Sequence, residues 1–204
     1  LEKRREAPQQ DMISQLIGSK YNDERPLTHE ELLDTLFLMF MAGLDTVASA
    51  MGLIVKTFAE QPGKRREFIE LMDDPKRVAL AVEELVRYHA IVLLPRRVTK
   101  DTEFEGVRLQ AEDQVSCPTM AANRDPEQFE NPDELLYDRT PNRHMGFGHG
   151  PHRCLGLHLA RRELRIGLQL LHRRLPDYEL HPDRKPELFG GSLKGASSLW
   201  LRKA

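Results

Sequence analysis

The sequence predicts a mainly α-helical fold with small β-sheets, built around one long central helix and ending in a cysteine loop before a C-terminal helix. Three observations carry this expectation. A capped, apolar helical pattern runs from Thr28 to Glu60. Short alternating runs fill the stretch from Leu93 to Pro118. A glycine- and proline-rich turn, from Phe147 to Gly156, leads into a second clear helical pattern, from about Cys154 to Arg174.

Taken in order, residues 1–27 are polar with one apolar patch, Met12, Ile13, Leu16 and Ile17, spaced for a short helix. A turn follows at Tyr21 to Pro26. Thr28-His29-Glu30-Glu31 then forms a capping box, in which the threonine hydroxyl accepts the N3 amide and Glu31 reaches back. The helix that starts there runs until Gln61-Pro62, roughly 45–50 Å at 1.5 Å per residue. Between Leu32 and Ile54 it is apolar almost all round, which predicts a helix crossing the middle of the fold.

Two shorter helices follow, from about Gly63 to Met72 and from Asp74-Pro75, an N-cap with Pro at N1, to about Tyr88. Residues Arg97 to Thr99, Thr102 to Glu105, Val107 to Leu109 and Gln114 to Cys117 read as short strands, with turns at Gly106 and at Ala111-Glu112-Asp113. Residues 123–153 carry many Pro, Asn, Asp and Gly and have a poor helical period. Loops of that length inside a compact domain are usually functional. The last thirty residues read as short strands.

The bulk numbers set limits. The chain has 204 residues, 40% hydrophobic and only 6% aromatic, enough for one sizeable core of mainly aliphatic side chains. Thirty basic and thirty-two acidic residues give a net charge of -2, without the basic stripe of a nucleic-acid binder. Two cysteines, Cys117 and Cys154, imply no disulfide framework and point to a reducing compartment. No contiguous apolar run approaches the ~18 residues of a membrane span. The chain opens at Leu1 without an initiator Met and reads as a fragment, with any targeting segment upstream.

The chemistry concentrates in Phe147-Gly148-His149-Gly150-Pro151-His152-Arg153-Cys154-Leu155-Gly156. Glycines and a proline around a cysteine, directly before a helix, describe a rigid turn. It presents sulfur at a helix N-terminus, where the dipole and free amides stabilise a thiolate. A zinc site is the competing chemistry, because His149, His152, Cys154 and His158 offer four ligands within ten residues.

This decapeptide resembles the haem-binding signature of the cytochrome P-450 family, Phe-Gly-x-Gly-x-(His/Arg)-x-Cys-x-Gly, at every specified position. The resemblance implies haem b with Cys154 as its axial thiolate and iron ligand, Phe147, Gly148 and Gly156 around it, and His152 on a propionate. His152 with Leu155 to Arg161 looks like the bacterial soluble branch. Ala42-Gly43-Leu44-Asp45-Thr46 resembles the family's oxygen-activation motif, with Ala42 and Gly43 beside the haem and Asp45 and Thr46 relaying protons to dioxygen. Glu84-Leu85-Val86-Arg87 resembles the Glu-x-x-Arg pair. Arg139 is its third member, although Leu135-Leu136-Tyr137-Asp138-Arg139 departs from the usual Phe-Asp-x-x-Arg. Arg96 aligns with a propionate partner, with Arg97 the alternative by one residue.

The resemblance further implies a substrate pocket of Leu38, Met41, Leu44, Val92, Leu93 and Leu193, suited to a small hydrophobic substrate of the terpenoid kind. The implied activity is a cytoplasmic haem-thiolate monooxygenase that uses O2. Its electrons would come from NAD(P)H through a reductase and a ferredoxin, which would meet Arg161 and Arg162. The match spans the whole chain, 1–204, as a single partial domain, but only the C-terminal half of the family's length. A truncated, non-catalytic fragment, haem-free or zinc-bound, is the alternative.

Overall fold

The computed structural model describes residues 1–204 and divides into two compact units, Leu1–Asp45 and Thr46–Ala204. The first unit opens with α1 (Glu2–Glu6) and α2 (Met12–Ile17). Asp11 caps α2 by accepting the Ser14 amide at 2.8 Å and pairs with Arg4. A two-strand hairpin, β1 (Lys20–Tyr21) with β2 (Arg25–Pro26), turns through Asn22 and Asp23, both at positive φ. Helix α3 (His29–Glu60) begins in this unit, and its capping box forms as the spacing predicts. The Thr28 amide donates to Glu31 Oε2 at 2.8 Å, and the Glu31 amide donates back to Thr28 Oγ1 at 3.2 Å.

Helix α3 is unbroken, but burial along its whole length is not observed. Within the first unit Phe37, Leu38, Phe40, Met41 and Leu44 are each more than half exposed. A unit of this size has too little chain to cover so much apolar surface. By length and composition alone α3 is also apolar enough to cross a membrane, with 17% of its most apolar window buried. Counting contiguous apolar runs misses this because Asp34 and Asp45 interrupt them. Core helices of soluble proteins pass the same test.

The second unit holds the core. Ile54, Val55, Phe58 and Ala59 at the end of α3 pack with Phe68 and Leu71 of α4 (Pro62–Leu71) and with Val78, Ala81, Val82 and Leu85 of α5 (Pro75–Tyr88). Asp74 caps α5 through the Lys76 and Arg77 amides, with Pro75 at N1 where a missing N–H costs nothing. Antiparallel β3 (Leu93–Arg97) and β6 (Gln114–Pro118) flank the hairpin of β4 (Thr102–Phe104) and β5 (Val107–Leu109). Its turn uses Glu105 and Gly106, both at positive φ, as a two-residue hairpin requires. Strand β3 begins four residues before the run that sequence reading picks out, because pairing with β6 extends it to Leu93. A short helix, α6 (Thr119–Ala122), also had no sequence signal of its own.

Residues 123–149 form an irregular, ordered stretch that ends in one 3₁₀ turn, Gly150–His152. Helix α7 (Leu157–Arg174) then buries Leu164, Leu168 and His172 against the core. His172 Nδ1 bonds the Leu168 carbonyl at 2.7 Å, and its Nε2 bonds the Tyr178 hydroxyl at 3.0 Å. The chain closes with two antiparallel pairs, β7 (Glu179–Leu180) with β10 (Leu201–Arg202) and β8 (Glu187–Phe189) with β9 (Gly195–Ser198).

Candidate functional site

The cysteine loop is shaped by its backbone. Gly148 and Gly150 sit at φ +68° and +69°, a region that side chains with a Cβ rarely adopt. The loop is closed by the Cys154 amide, which donates to the Phe147 carbonyl at 2.9 Å, and within it the Arg153 amide donates to Gly150 O at 3.0 Å. Cys154 is exposed and forms no disulfide. It lies two residues before Gly156, the N-cap of α7, so the helix starts slightly later than the sequence predicts.

The zinc reading is overturned. No group of three or more His, Cys, Asp and Glu side chains comes together to hold a metal ion. His149 is extended, His152 belongs to the 3₁₀ turn and His158 is already inside α7, so short sequence spacing does not become convergence.

Glu84 and Arg87 are fully buried, and Arg139 reaches them from the irregular stretch. Arg87 uses all five of its N–H groups. Nε and Nη2 donate to the Glu84 carboxylate at 2.8 Å each, and the rest go to the carbonyls of Asn123, Pro132 and Glu134. Arg139 Nε lies 3.1 Å from both Glu84 oxygens. A buried ion pair is tolerated only when its polar atoms are satisfied this fully. Asn142 Nδ2 and the Leu136 amide also donate to Glu84, and the Asn123 amide group donates to Arg87 O. Sequence reading missed these contributors, since a lone Asn in a polar loop carries no signal.

A second carboxylate, Glu83, is joined by His144 Nε2 at 3.0 Å and by Arg161 Nη2 at 2.7 Å. Burial alone would raise its pKa, but the hydrogen bonds and charges of these partners hold it at about 2. Arg161 also lies over the Phe147 ring, 4.7 Å from its centroid, whereas Arg162 is exposed. Glu83, His144 and Arg161 therefore link α5, the loop and α7.

Three of the predicted pocket residues are brought together. Val92 and Leu193 form an antiparallel bridge, and the Leu93 amide donates to Ser192 O at 3.0 Å. In the first unit Leu38, Met41 and Leu44 lie at i, i+3 and i+6 along α3 and are all exposed. Asp45 is exposed and closes that unit, while Thr46 opens the second and is half-buried. The two arginines of β3 differ: Arg97 pairs with Glu112 at 3.1 Å, while Arg96, on the opposite face, bonds only the neighbouring Pro95 carbonyl.

The family model for Cytochrome P450 matches residues 76–192, which hold the Glu84–Arg87–Arg139 cluster and the cysteine loop. The chain belongs to the cytochrome P450 family.

Among curated P450s it is 42% identical to a probable cytochrome P450 127A1 of Sinorhizobium fredii over 97% of this chain and 47% of that one. It is 37% identical to the mycinamicin IV hydroxylase/epoxidase of Micromonospora griseorubida, over 88% and 45%. Among solved P450 structures it superposes on CYP101J2 with a TM-score of 0.89 at 32% identity, covering all of this chain and 50% of that one. The testosterone complex of CYP109E1 from Bacillus megaterium gives 0.88 at 31%, covering 99% and 56%. The chain spans about half the length of the P450s it matches. The mainly α fold with small sheets is that of these relatives.

P450s bind haem b through a cysteine thiolate, and the residues present fit that group. The Cys154 thiol is exposed beyond a closed loop, and Arg96 has no anionic partner. Gly156 has an ordinary φ and nothing within 4 Å of where a Cβ would project, so neither backbone nor neighbours demand glycine. That open space would let a flat group approach the backbone.

Proposed function

We propose that this chain carries the thiolate side of a haem monooxygenase, with Cys154 as the iron ligand. The observation that carries the reading is the closed Phe147–Cys154 loop, which presents an exposed thiol just ahead of a helix N-terminus. Haem bound there supplies the activation of O2, so that one oxygen atom enters a C–H bond and the other leaves as water, for two electrons and two protons.

The chain's own residues have simpler tasks. Arg96 and His152 hold the two propionates, which want cationic or donor groups. Phe147, Gly148 and Gly156 set how close the porphyrin comes, with Ala42 and Gly43 leaving room along α3. Asp45 and the Thr46 hydroxyl would hold and pass on the protons that the reaction consumes. Glu84, Arg87 and Arg139 fix the loop and touch no substrate. Val92, Leu93 and Leu193, with Leu38, Met41 and Leu44, offer only apolar contact, which suits a small hydrophobic substrate; terpenoids are the first class to screen.

Electrons come from NAD(P)H through a reductase and a ferredoxin. Arg162 is the exposed cation for that acidic partner, and Arg161 has less freedom because Glu83 engages it. The whole chain is read as one partial P450 domain working in the cytoplasm, as its bacterial relatives suggest.

The test is a CO-difference spectrum of the reduced protein purified with haem supplied, beside metal analysis. The red-shifted Soret band of thiolate ligation is expected. It should vanish in Cys154→Ala and persist in Cys117→Ala. Porphyrin-free protein, or a band untouched by Cys154→Ala, would overturn the assignment.

A further inference from the structure

The approach to the cysteine is clamped from two sides by groups outside the ten-residue loop motif. His144 Nδ1 accepts the Gly146 amide at 3.1 Å, which leaves Nε2 to donate to Glu83 Oε2 at 3.0 Å. The two partners thereby set which ring nitrogen accepts and which donates. Glu83 Oε1 accepts from Arg161 Nε at 2.5 Å, and Oε2 accepts from Nη2 at 2.7 Å, a two-pronged pairing with planar guanidinium. The same guanidinium lies over the Phe147 ring, and the His144 ring flanks Phe147 with 6.0 Å between centroids. The Phe147 carbonyl in turn accepts the Cys154 amide. Next to it, a Cβ on Gly146 would come within 2.7 Å of Val86 Cγ1 and 3.0 Å of Val86 O, so the loop lies directly on α5.

We infer that Glu83, His144 and Arg161 are positioning residues that hold Phe147, and through its carbonyl the Cys154 backbone, in a fixed place from which the thiol would serve as the iron ligand. This rests on Cys154 being that ligand. The network spans three parts of the chain, α5, the loop and α7, and each member contributes something different. Glu83 supplies the charge that both others need. His144 ties the loop backbone to that charge. Arg161 covers the phenyl face and prevents the ring from swinging away. Lysine at 161 keeps the charge and the contact with the ring but not the planar fork.

Two readouts test this on the same proteins. Amide hydrogen exchange of residues 146–154 needs no haem. It should quicken about tenfold in Glu83→Gln and in Arg161→Gln, as expected for one lost charge-assisted bond, and by no more than about threefold in Arg161→Lys. Amides of the Val107–Leu109 hairpin strand and the urea midpoint should stay near wild type. With haem supplied, the Soret band of the reduced CO complex should lose its thiolate position in the two glutamine variants and recover it in Arg161→Lys. Wild-type exchange rates in both glutamine variants, or exchange that quickens equally in the hairpin, would overturn the positioning role. Failure of the wild-type protein to show a thiolate band would instead count against Cys154 as ligand, and the exchange data would still decide the clamp.

Discussion

Arg139 places its Nε 3.1 Å from each oxygen of Glu84 although 55 positions separate them in the chain. The pair fastens the irregular stretch to α5, and Glu84 also accepts from Arg87, Leu136 and Asn142. Removing the charge leaves two buried or nearly buried guanidinium groups without their counter-ion. Glu84→Gln should therefore cost about 3–5 kcal/mol of stability, the range for breaking a buried ion pair by removing one partner. Urea unfolding followed by far-UV circular dichroism measures it; a loss below about 1 kcal/mol would mean that the cluster is not structural.

Burial, together with the charges of Arg124 and Lys56, lowers the pKa of His89 to about 3 from an ordinary value of 6.5. Between those values the unfolded chain binds a proton that the folded chain refuses. Stability should then be full above about pH 6.5 and fall as pH drops, by up to about 1.4 kcal/mol per pH unit. His172, also lowered by burial, acts in the same direction. Urea midpoints at pH 7 and pH 5 should differ accordingly, and His89→Leu should flatten the difference. An equal slope in that variant would remove His89 from the account.

Arg96 and Arg97 are neighbours on β3, but only Arg97 has an acidic partner, Glu112. Arg96→Ala should weaken haem binding about tenfold through the loss of one propionate contact, whereas Arg97→Ala should change it less than twofold. Haem titration by absorbance separates the two. The opposite ranking would move the propionate role to Arg97.

Thr46→Ala tests the proposed proton relay. In reconstituted turnover the variant should consume NAD(P)H at a rate near wild type while forming several-fold less product, the balance appearing as peroxide. Unchanged coupling between electron use and product would exclude the threonine hydroxyl from proton delivery.

Phe58 is fully buried and packs against Phe68 and His172, with ring centroids 5.4 Å from each. Phe58→Ala should cost about 3–5 kcal/mol, in line with large-to-small core changes. Thermal or urea unfolding reads the loss. A small effect would mean that the cavity collapses easily.

The sequence by itself determined the longer elements and their order. The Thr28–Glu31 box, the Asp74–Pro75 cap and the Glu105–Gly106 turn are local devices, and local sequence suffices to specify them. The ten residues around Cys154 likewise carried the family, because loop glycines and a helix start are written within one short segment. Tertiary structure alone decided what depends on distant partners. Asn123 and Asn142 join the Glu84 cluster, the four zinc-like ligands diverge, and β3 extends to Leu93 once β6 pairs with it. It also decided that the apolar residues of α3 are buried from Ile54 to Ala59, whereas Phe37, Leu38, Phe40, Met41 and Leu44 are exposed. Apolar periodicity states that a face can be covered; only the packed chain determines what covers it.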